Sequence, residues 1–427
     1  MTKKILVVCN FRHASPRIPG LLNTLADLGW EIHVLCPPLP ENANTELGFP
    51  PRFLEKISIH AIGEDVDLLE NLRRLLSRFG YSDKKSFLEQ LKSSSSNNFF
   101  RDFVNRSFTV LMSLFAFPDL ERKWTKSAAE LGKELSKSNT FDFILSSSPF
   151  PTSHVIANRI SKFSNSKWVA DYRDPWCSNP VYPYGQFRRF FEVRYEKKVI
   201  RQATIITTVS TAYANLLGQI HGKEIFVIPN GFIDYGYVRN SQERIGKLVF
   251  VHTGNIYEGN HKLEVLFEAL QILNNREKLS DQMIQVLFYG RYEVLIQDLI
   301  KKFDMERIVF QMGHAPRLQC VRIQSEADGL LFFNWENQVE KGLSHLKFYE
   351  YIASGSKIIV IGASENEYTE IIQRYNFGEL FTTSLELADG ILNIRKFQSV
   401  SHSKNELKEF GYAHQAKKLN IILDNYL

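Results

Sequence analysis

Short apolar runs rich in β-branched residues alternate with segments of helical period along nearly the whole chain. KKILVVCN at the start has the pattern of a buried parallel strand: apolar residues without alternation, bounded by polar ones. The loop FRHASPRIP comes next, then a helix in GLLNTLADLG closed by Gly29, then a second strand in WEIHVLCPP. That is one βαβ unit, and it opens an α/β domain. FDFILSSS, KWVADY, ATIITTVS and EIFVIPNG repeat the strand pattern between helical segments and predict a doubly wound sheet. In IPNGFIDYGYVRNSQERIGK an Asn-Gly turn closes a strand and periodicity lapses, which marks a boundary. A second series then runs through KLVFVHTG, MIQVLFYG, RIVFQMG, GLLFF and KIIVIG, with helices in KLEVLFEALQILNN and VLIQDLIKKF.

The expected organisation is a first α/β domain over 1–236, a second over 237–405, and a helical tail over 406–427. Residues 64–137 interrupt the first series with charged, helical sequence and a Ser-rich tip at 94–99. Within them, the aromatic and basic stretch at 99–126 reads either as a helix packed on its own domain or as an amphipathic helix touching lipid. Two α/β domains in tandem place a ligand cleft between the carboxyl ends of their strands.

Composition narrows the function. The chain has 427 residues, 44% hydrophobic and 23% charged, enough apolar material for two cores. A net charge of +5 suits an anionic small substrate or an acidic membrane surface and falls short of a nucleic-acid-binding signature. Cys9, Cys36, Cys177 and Cys320 lie far apart without CxxC spacing, so reduced thiols fit better than zinc or disulfides. The first apolar run is too short for a signal peptide, and no stretch approaches the ~20 apolar residues of a membrane span. A cytoplasmic protein, at most peripheral to a membrane, is expected.

The loops carry the chemistry. A nicotinamide fingerprint needs G-x-G-x-x-G after the first strand, and NFRHASPRIPG does not supply it. No Walker A, G-x-S-x-G or H-E-x-x-H motif occurs. VHTGNIYEGNHK joins a strand to a helix; its Gly254 and Gly259 either make turns or let backbone approach an anion at the helix N-terminus. FYGR puts Arg291 just past the next strand, where a guanidinium could fork onto phosphate oxygens. In KFYEYIASG, Lys347 and Glu350 stand three apart on one helix face. Such a pair is commonly a solvated surface pair, but in an apolar helix bound for the core an idle carboxylate is expensive. Glu350 is suited to accept hydrogen bonds from two vicinal hydroxyls, as on a ribose.

SKWVADYRDPW crowds acidic, basic and aromatic residues directly after a strand. Either Asp171, Arg173 and Asp174 line the cleft, with Trp176 as an apolar wall, or an Asp–Arg pair pins the loop with Trp176 in the core. Ser146 to Ser148 offer hydroxyls to a ligand or cap a helix beginning near Thr152.

Taken in order, SPRIPGLLNTLADLGWEIHVLCP, PDLERKW, FDFILSSSPFPTSH, WVADYRDPW, ATIITTVSTAYANLL, IPNGF, HTGNIYEG and KFYEYIASG resemble the retaining glycosyltransferases of the GT-B fold, family 4 group, which build bacterial surface polysaccharides. The resemblance implies an α/β architecture of two Rossmann-like domains facing across a cleft, with the C-terminal helix returning to the first. It implies a nucleotide-sugar donor gripped by Glu350 and faced by Gly254 and Asn255, and Lys262, Arg291 and Lys347 complete the expected donor-binding set. Catalytic roles would fall to Asp171, Arg173 and Asp174, and Arg17, His154 and Trp176 would line the acceptor side. The implied reaction moves a sugar with retention to a glycan or lipid-linked acceptor, without cofactor or metal; an anionic membrane surface is a further candidate partner, and nucleic acid is not.

Two positions depart from the family pattern. The acidic residue expected eight positions before Glu350 is Gly342, and the usual Gly-Arg reads Gly254-Asn255. Lys347 and Arg291 are the candidates to supply the missing charge. Two rival readings are a non-hydrolysing sugar-nucleotide epimerase and a degenerate scaffold in a polysaccharide assembly complex.

Overall fold

The computed structural model describes residues 2–63, 117–119, 121–179, 182, 185–236, 247–256, 259, 261–276, 279–334, 345–362, 366–394 and 404–427. The first sheet takes β1 (Lys4–Val8), β2 (Glu31–Cys36), β3 (Ser58–Ala61), β4 (Phe143–Ser147), β5 (Lys167–Tyr172), β6 (Ile205–Thr208) and β7 (Phe226–Val227) in the order β3-β2-β1-β4-β5-β6-β7. The second takes β8 (Leu248–Thr253), β9 (Ile284–Tyr289), β10 (Val309–Gly313), β11 (Gly329–Phe333), β12 (Lys357–Ile361) and β13 (Gly378–Phe381) in the order β10-β9-β8-β11-β12-β13. The pairings within both sheets are parallel. Each order reverses once, between β1 and β4 and between β8 and β11, and such a reversal opens a crevice at the carboxyl ends of the strands.

The uninterrupted apolar strands are buried on both faces. Ile5 and Val7 of β1 enter a core with Leu22 and Leu25, while Leu6 and Val8 enter another with Ile156 and Trp168. In β12, Ile358 and Val360 likewise part from Ile359 and Ile361. The edge strands β3 and β13 are not foreseen by pattern, because they are short and only partly buried.

The C-terminal helix, Tyr412–Asp424, returns to the first sheet and lies on the Arg17–Asp27 helix. Tyr412, Ala416, Leu419 and Leu423 complete the core begun by Ile18, Leu21 and Leu22. Gly20 permits the approach: a Cβ there would stand 2.5 Å from the Tyr412 ring. The Asn-Gly of IPNGF has a similar use. Phe232 exchanges backbone hydrogen bonds with the returning chain, its N–H donating to Phe410 at 3.1 Å and its carbonyl accepting from Tyr412 at 2.9 Å. A Cβ on Gly231 would meet that backbone at 2.8 Å, so close passage of two chains accounts for the glycine.

The Ser-rich tip, most of the 99–126 stretch and Gly342 lie outside the described residues. The Thr125–Ser138 helix comes after the first two of these, and its Gly132 lets Ile160 of the Thr152–Ser161 helix sit against it. That second helix starts at Thr152, but its cap is remote: Asp119 accepts from Thr152 N at 2.6 Å and from its hydroxyl at 2.7 Å. Ser146, Ser147 and Ser148 are therefore released from capping.

Candidate active site

Beside the first switch point lies the turn after β5. Asp171 is buried, and each carboxylate oxygen takes two donors. Oδ1 accepts from Arg17 Nη2 and Thr207 Oγ1, both at 2.8 Å, and Oδ2 from Arg17 Nε at 3.1 Å and Ser147 Oγ at 2.8 Å. Burial opposes ionisation of Asp171, but the guanidinium and the two hydroxyls outweigh it and hold the carboxyl below the usual range. Arg17 is itself fully buried and sends Nη1 to the Pro229 carbonyl at 3.0 Å. The pair uses its hydrogen bonds to tie β4, β5, β6 and the Arg17–Asp27 helix together beneath the cleft. Asp171 and Arg17 thus act as positioning residues.

Two acceptor-side expectations are corrected by burial. Trp176 lies in the core of the first domain and donates Nε1–H to Glu192 at 2.8 Å, so its ring is not available to a sugar. His154 is wholly enclosed, with Nδ1 at 2.8 Å from Ser146 Oγ and its ring 4.9 Å from that of Tyr172. Burial pushes its pKa down to about 4, which leaves a neutral core histidine.

The rest of the turn is more open. Arg173 donates Nη1–H to the His13 carbonyl, and its backbone N–H is held by Ser148 Oγ at 3.0 Å. Asp174 is half-buried. Burial raises its pKa against the opposing pull of Arg173 and of His345, which belongs to the second domain. Asp174 therefore has a titratable neighbour across the cleft.

Sequence reasoning did not single out Glu121. Its Oε1 accepts from Asn10 Nδ2 at 2.7 Å and lies 3.3 Å from His13 Nε2. Burial, then the neighbouring Asp119, push its pKa up to about 8. The His13 ring packs on Phe150 at 4.6 Å. The loops after β1 and β4 and the turn before the Thr125–Ser138 helix thus set an imidazole, an aromatic ring and a protonatable carboxyl on the first wall of the crevice.

The second wall is cationic. Gly254 comes directly after β8 with φ 120°, and the Lys347 ammonium lies 3.6 Å from where a Gly254 Cβ would stand. Gly290 packs on the same turn, since a Cβ there would come within 2.3 Å of the Gly254 carbonyl. Gly290 is required by this close approach and Gly254 by its positive φ. His261 and His252 surround this turn. Burial and then Lys347 depress both, with His345 adding to the effect on His261, which falls to about 3. These neutral imidazoles and the Lys347 cation crowd one strand-end turn, an arrangement that an entering anion would relieve.

One helical turn beyond Lys347, Glu350 pairs with Arg317, the first residue of the Arg317–Glu326 helix. Arg317 lies against Gly48 of the first domain, whose carbonyl accepts from the Tyr235 hydroxyl at 2.5 Å. Arg317 is 33 residues from Glu350 in sequence, and no local motif announces it. Asn255 comes after Gly254 on the turn and is half-buried, whereas Lys262 and Arg291 are exposed at the helix start and just past β9. Among the described residues no group of His, Cys, Asp and Glu could hold a metal ion, and no helix is long and apolar enough to cross a membrane.

This architecture is the GT-B fold. A glycosyltransferase from Rickettsia africae matches it with TM-score 0.61 and 14% identity, covering 100% of this chain and 98% of that one. Anabaena HepE, solved with UDP-glucose, matches with TM-score 0.60 and 14% identity over 99% of both chains. The lipopolysaccharide outer core galactosyltransferase WaaB matches with TM-score 0.53 and 13% identity over 100% of both. No protein-family model matches the sequence, and no curated protein does.

Proposed function

We propose that the protein is a retaining glycosyltransferase that moves a sugar from a nucleotide-sugar donor to a glycan or lipid-linked acceptor in surface polysaccharide biosynthesis. The observation that carries this reading is the Lys347 ammonium standing over the Gly254 turn at the second switch point, one helical turn from Glu350. A diphosphate on that turn would meet the ammonium and the backbone of Gly254 and Asn255. Glu350 is then placed to accept from ribose hydroxyls, exchanging part of its bond to Arg317. Lys262 and Arg291, solvent-facing nearby, add positive charge to the approach. This charge stands in for the arginine that Asn255 replaces.

The chemistry is the breaking of the bond from the anomeric carbon to the diphosphate oxygen and the making of one to an acceptor oxygen on the same face. Charge grows on the leaving diphosphate, and a fixed ammonium in a partly dry crevice stabilises it without reorganisation. No metal is required in this scheme. The acceptor proton goes to Asp174 rather than Asp171. Burial raises the proton affinity of Asp174, while Asp171 is held ionised with each oxygen doubly occupied. Arg173 faces an anionic group of the sugar or acceptor.

A thermal-shift panel of UDP, GDP, ADP, CMP and their sugar conjugates, with Glu350→Ala alongside, tests the reading. A ligand at 100 times its dissociation constant stabilises the native state by ~2.7 kcal/mol. A shift with one nucleotide family, absent in Glu350→Ala, is the expected result. Silence across the panel overturns the donor site and turns the reading toward a scaffold.

A further inference from the structure

We infer that the outer face of the Gln186–Ile200 helix docks on an anionic lipid membrane. This goes beyond glycosyl transfer and does not depend on it. Phe187, Phe190 and Phe191 are 82%, 54% and 53% exposed. Arg194, Lys197 and Lys198 continue the same stripe at three- and four-residue steps and are exposed as well. The rings touch one another, Phe187–Phe191 at 5.2 Å and Phe190–Phe191 at 5.3 Å, and the Arg194 guanidinium lies 3.6 Å above Phe190.

The inner face carries the acids beside core residues Val199 and Ile200. Both carboxylates of the helix, Glu192 and Glu196, are buried: Glu192 accepts from Trp176, and Glu196 from the Tyr172 hydroxyl at 3.0 Å and Cys177 N at 3.1 Å. The helix is thus turned inside out, acids inward and phenylalanines outward. Burying its acids also leaves the outer stripe with basic residues alone as its charged groups. Exposed aromatic rings continued along one line by guanidinium and ammonium groups match a bilayer boundary, rings among the upper acyl chains and cations at the phosphates.

Charge complementarity selects this occupant. A face whose charged groups are all basic complements an anionic surface, and a net charge of +5 is small for a nucleic-acid ligand. The stripe also leads into the site, because Glu192 holds the Trp176 indole at the end of the DYRDPW turn. A chain docked by this face would hold its first cleft wall close to the lipid surface.

Co-sedimentation of the full chain with phosphatidylcholine vesicles, with and without phosphatidylglycerol, is the test. Binding is expected with the anionic vesicles alone and is released at high salt. The triple variant Phe187→Ser, Phe190→Ser, Phe191→Ser should bind about tenfold more weakly or worse. Arg194→Glu with Lys197→Glu should lose at least about fivefold per charge removed. Since these side chains are exposed, both variants should keep the far-UV circular dichroism and Tm of the parent, which separates lost docking from lost fold. The inference is overturned if the parent does not bind, or if both variants bind as the parent does. It is equally overturned if light scattering shows a stable dimer that the phenylalanine variant dissolves.

Discussion

The two walls of the cleft treat their charged residues in opposite ways. On the first wall, Asp171 and Arg17 consume each other, helped by Ser147, Thr207 and the Pro229 carbonyl. On the second, Lys347 is aimed at a glycine turn whose lack of a side chain leaves room beside it. The denser cluster of chemistry in the sequence, DYRDPW, therefore commits most of its contacts to architecture, and the sparser one forms the proposed anion site.

That contrast can be broken from the first side. Asp171→Asn leaves Arg17 as a buried cation without its counter-charge, and breaking such a pair costs about 3–5 kcal/mol. The expected outcome is a large fall in the denaturation midpoint in the absence of any ligand. A variant that melts like the parent would mean Asp171 is held for chemistry and not for the fold. From the second side, Lys347→Ala should weaken the donor about ten- to a hundredfold. That corresponds to losing a charge-assisted contact of ~1.5–3 kcal/mol. Isothermal titration with the nucleotide found in the panel measures it, and unchanged affinity would remove the ammonium from the donor site.

Much of this was legible in the sequence, and the failures share a cause. The buried strands announce themselves because parallel strands covered on both faces need unbroken apolar runs, as in β1 and β12. The short edge strands β3 and β13 do not, being half wet. The Lys347–Glu350 spacing correctly puts both residues on one helix, yet their neighbours come from elsewhere: Arg317 from after β10, and Gly254 from after β8. Trp176 and His154 could be read as ligand-facing because residue type carries no direction. Their direction is set by Glu192 and Ser146, which accept from the indoles of Trp176 and Trp168. Glu121 escaped notice since its raised pKa comes from burial beside Asp119, a property of packing.

The buried titratable groups sharpen the comparison through pH, with a smaller effect. His154 in the core of the first domain and His261 on the second wall have folded pKa values lowered to about 4 and about 3. The unfolded chain takes up those protons near 6.5, so each histidine's contribution is full above that pH. It is lost as pH falls, at about 1.4 kcal/mol per unit. Glu121 has the opposite sign. Its folded pKa is raised to about 8, so its contribution is full below the unfolded carboxyl range near 4.5 and is lost as pH rises toward 8. Asp119, raised to about 6, opposes the histidines only in the acid window. Between 6.5 and 8 the histidines are silent and Glu121 dominates, so stability should peak near 6.5 and decline by ~1–2 kcal/mol toward pH 8. Urea denaturation across pH 5–8.5 reads this directly. Glu121→Gln, which cannot ionise, should flatten the basic limb and leave the acid limb sloping. A basic limb unchanged in that variant would assign the decline to another group and free Glu121 to be an ionised carboxylate facing the acceptor.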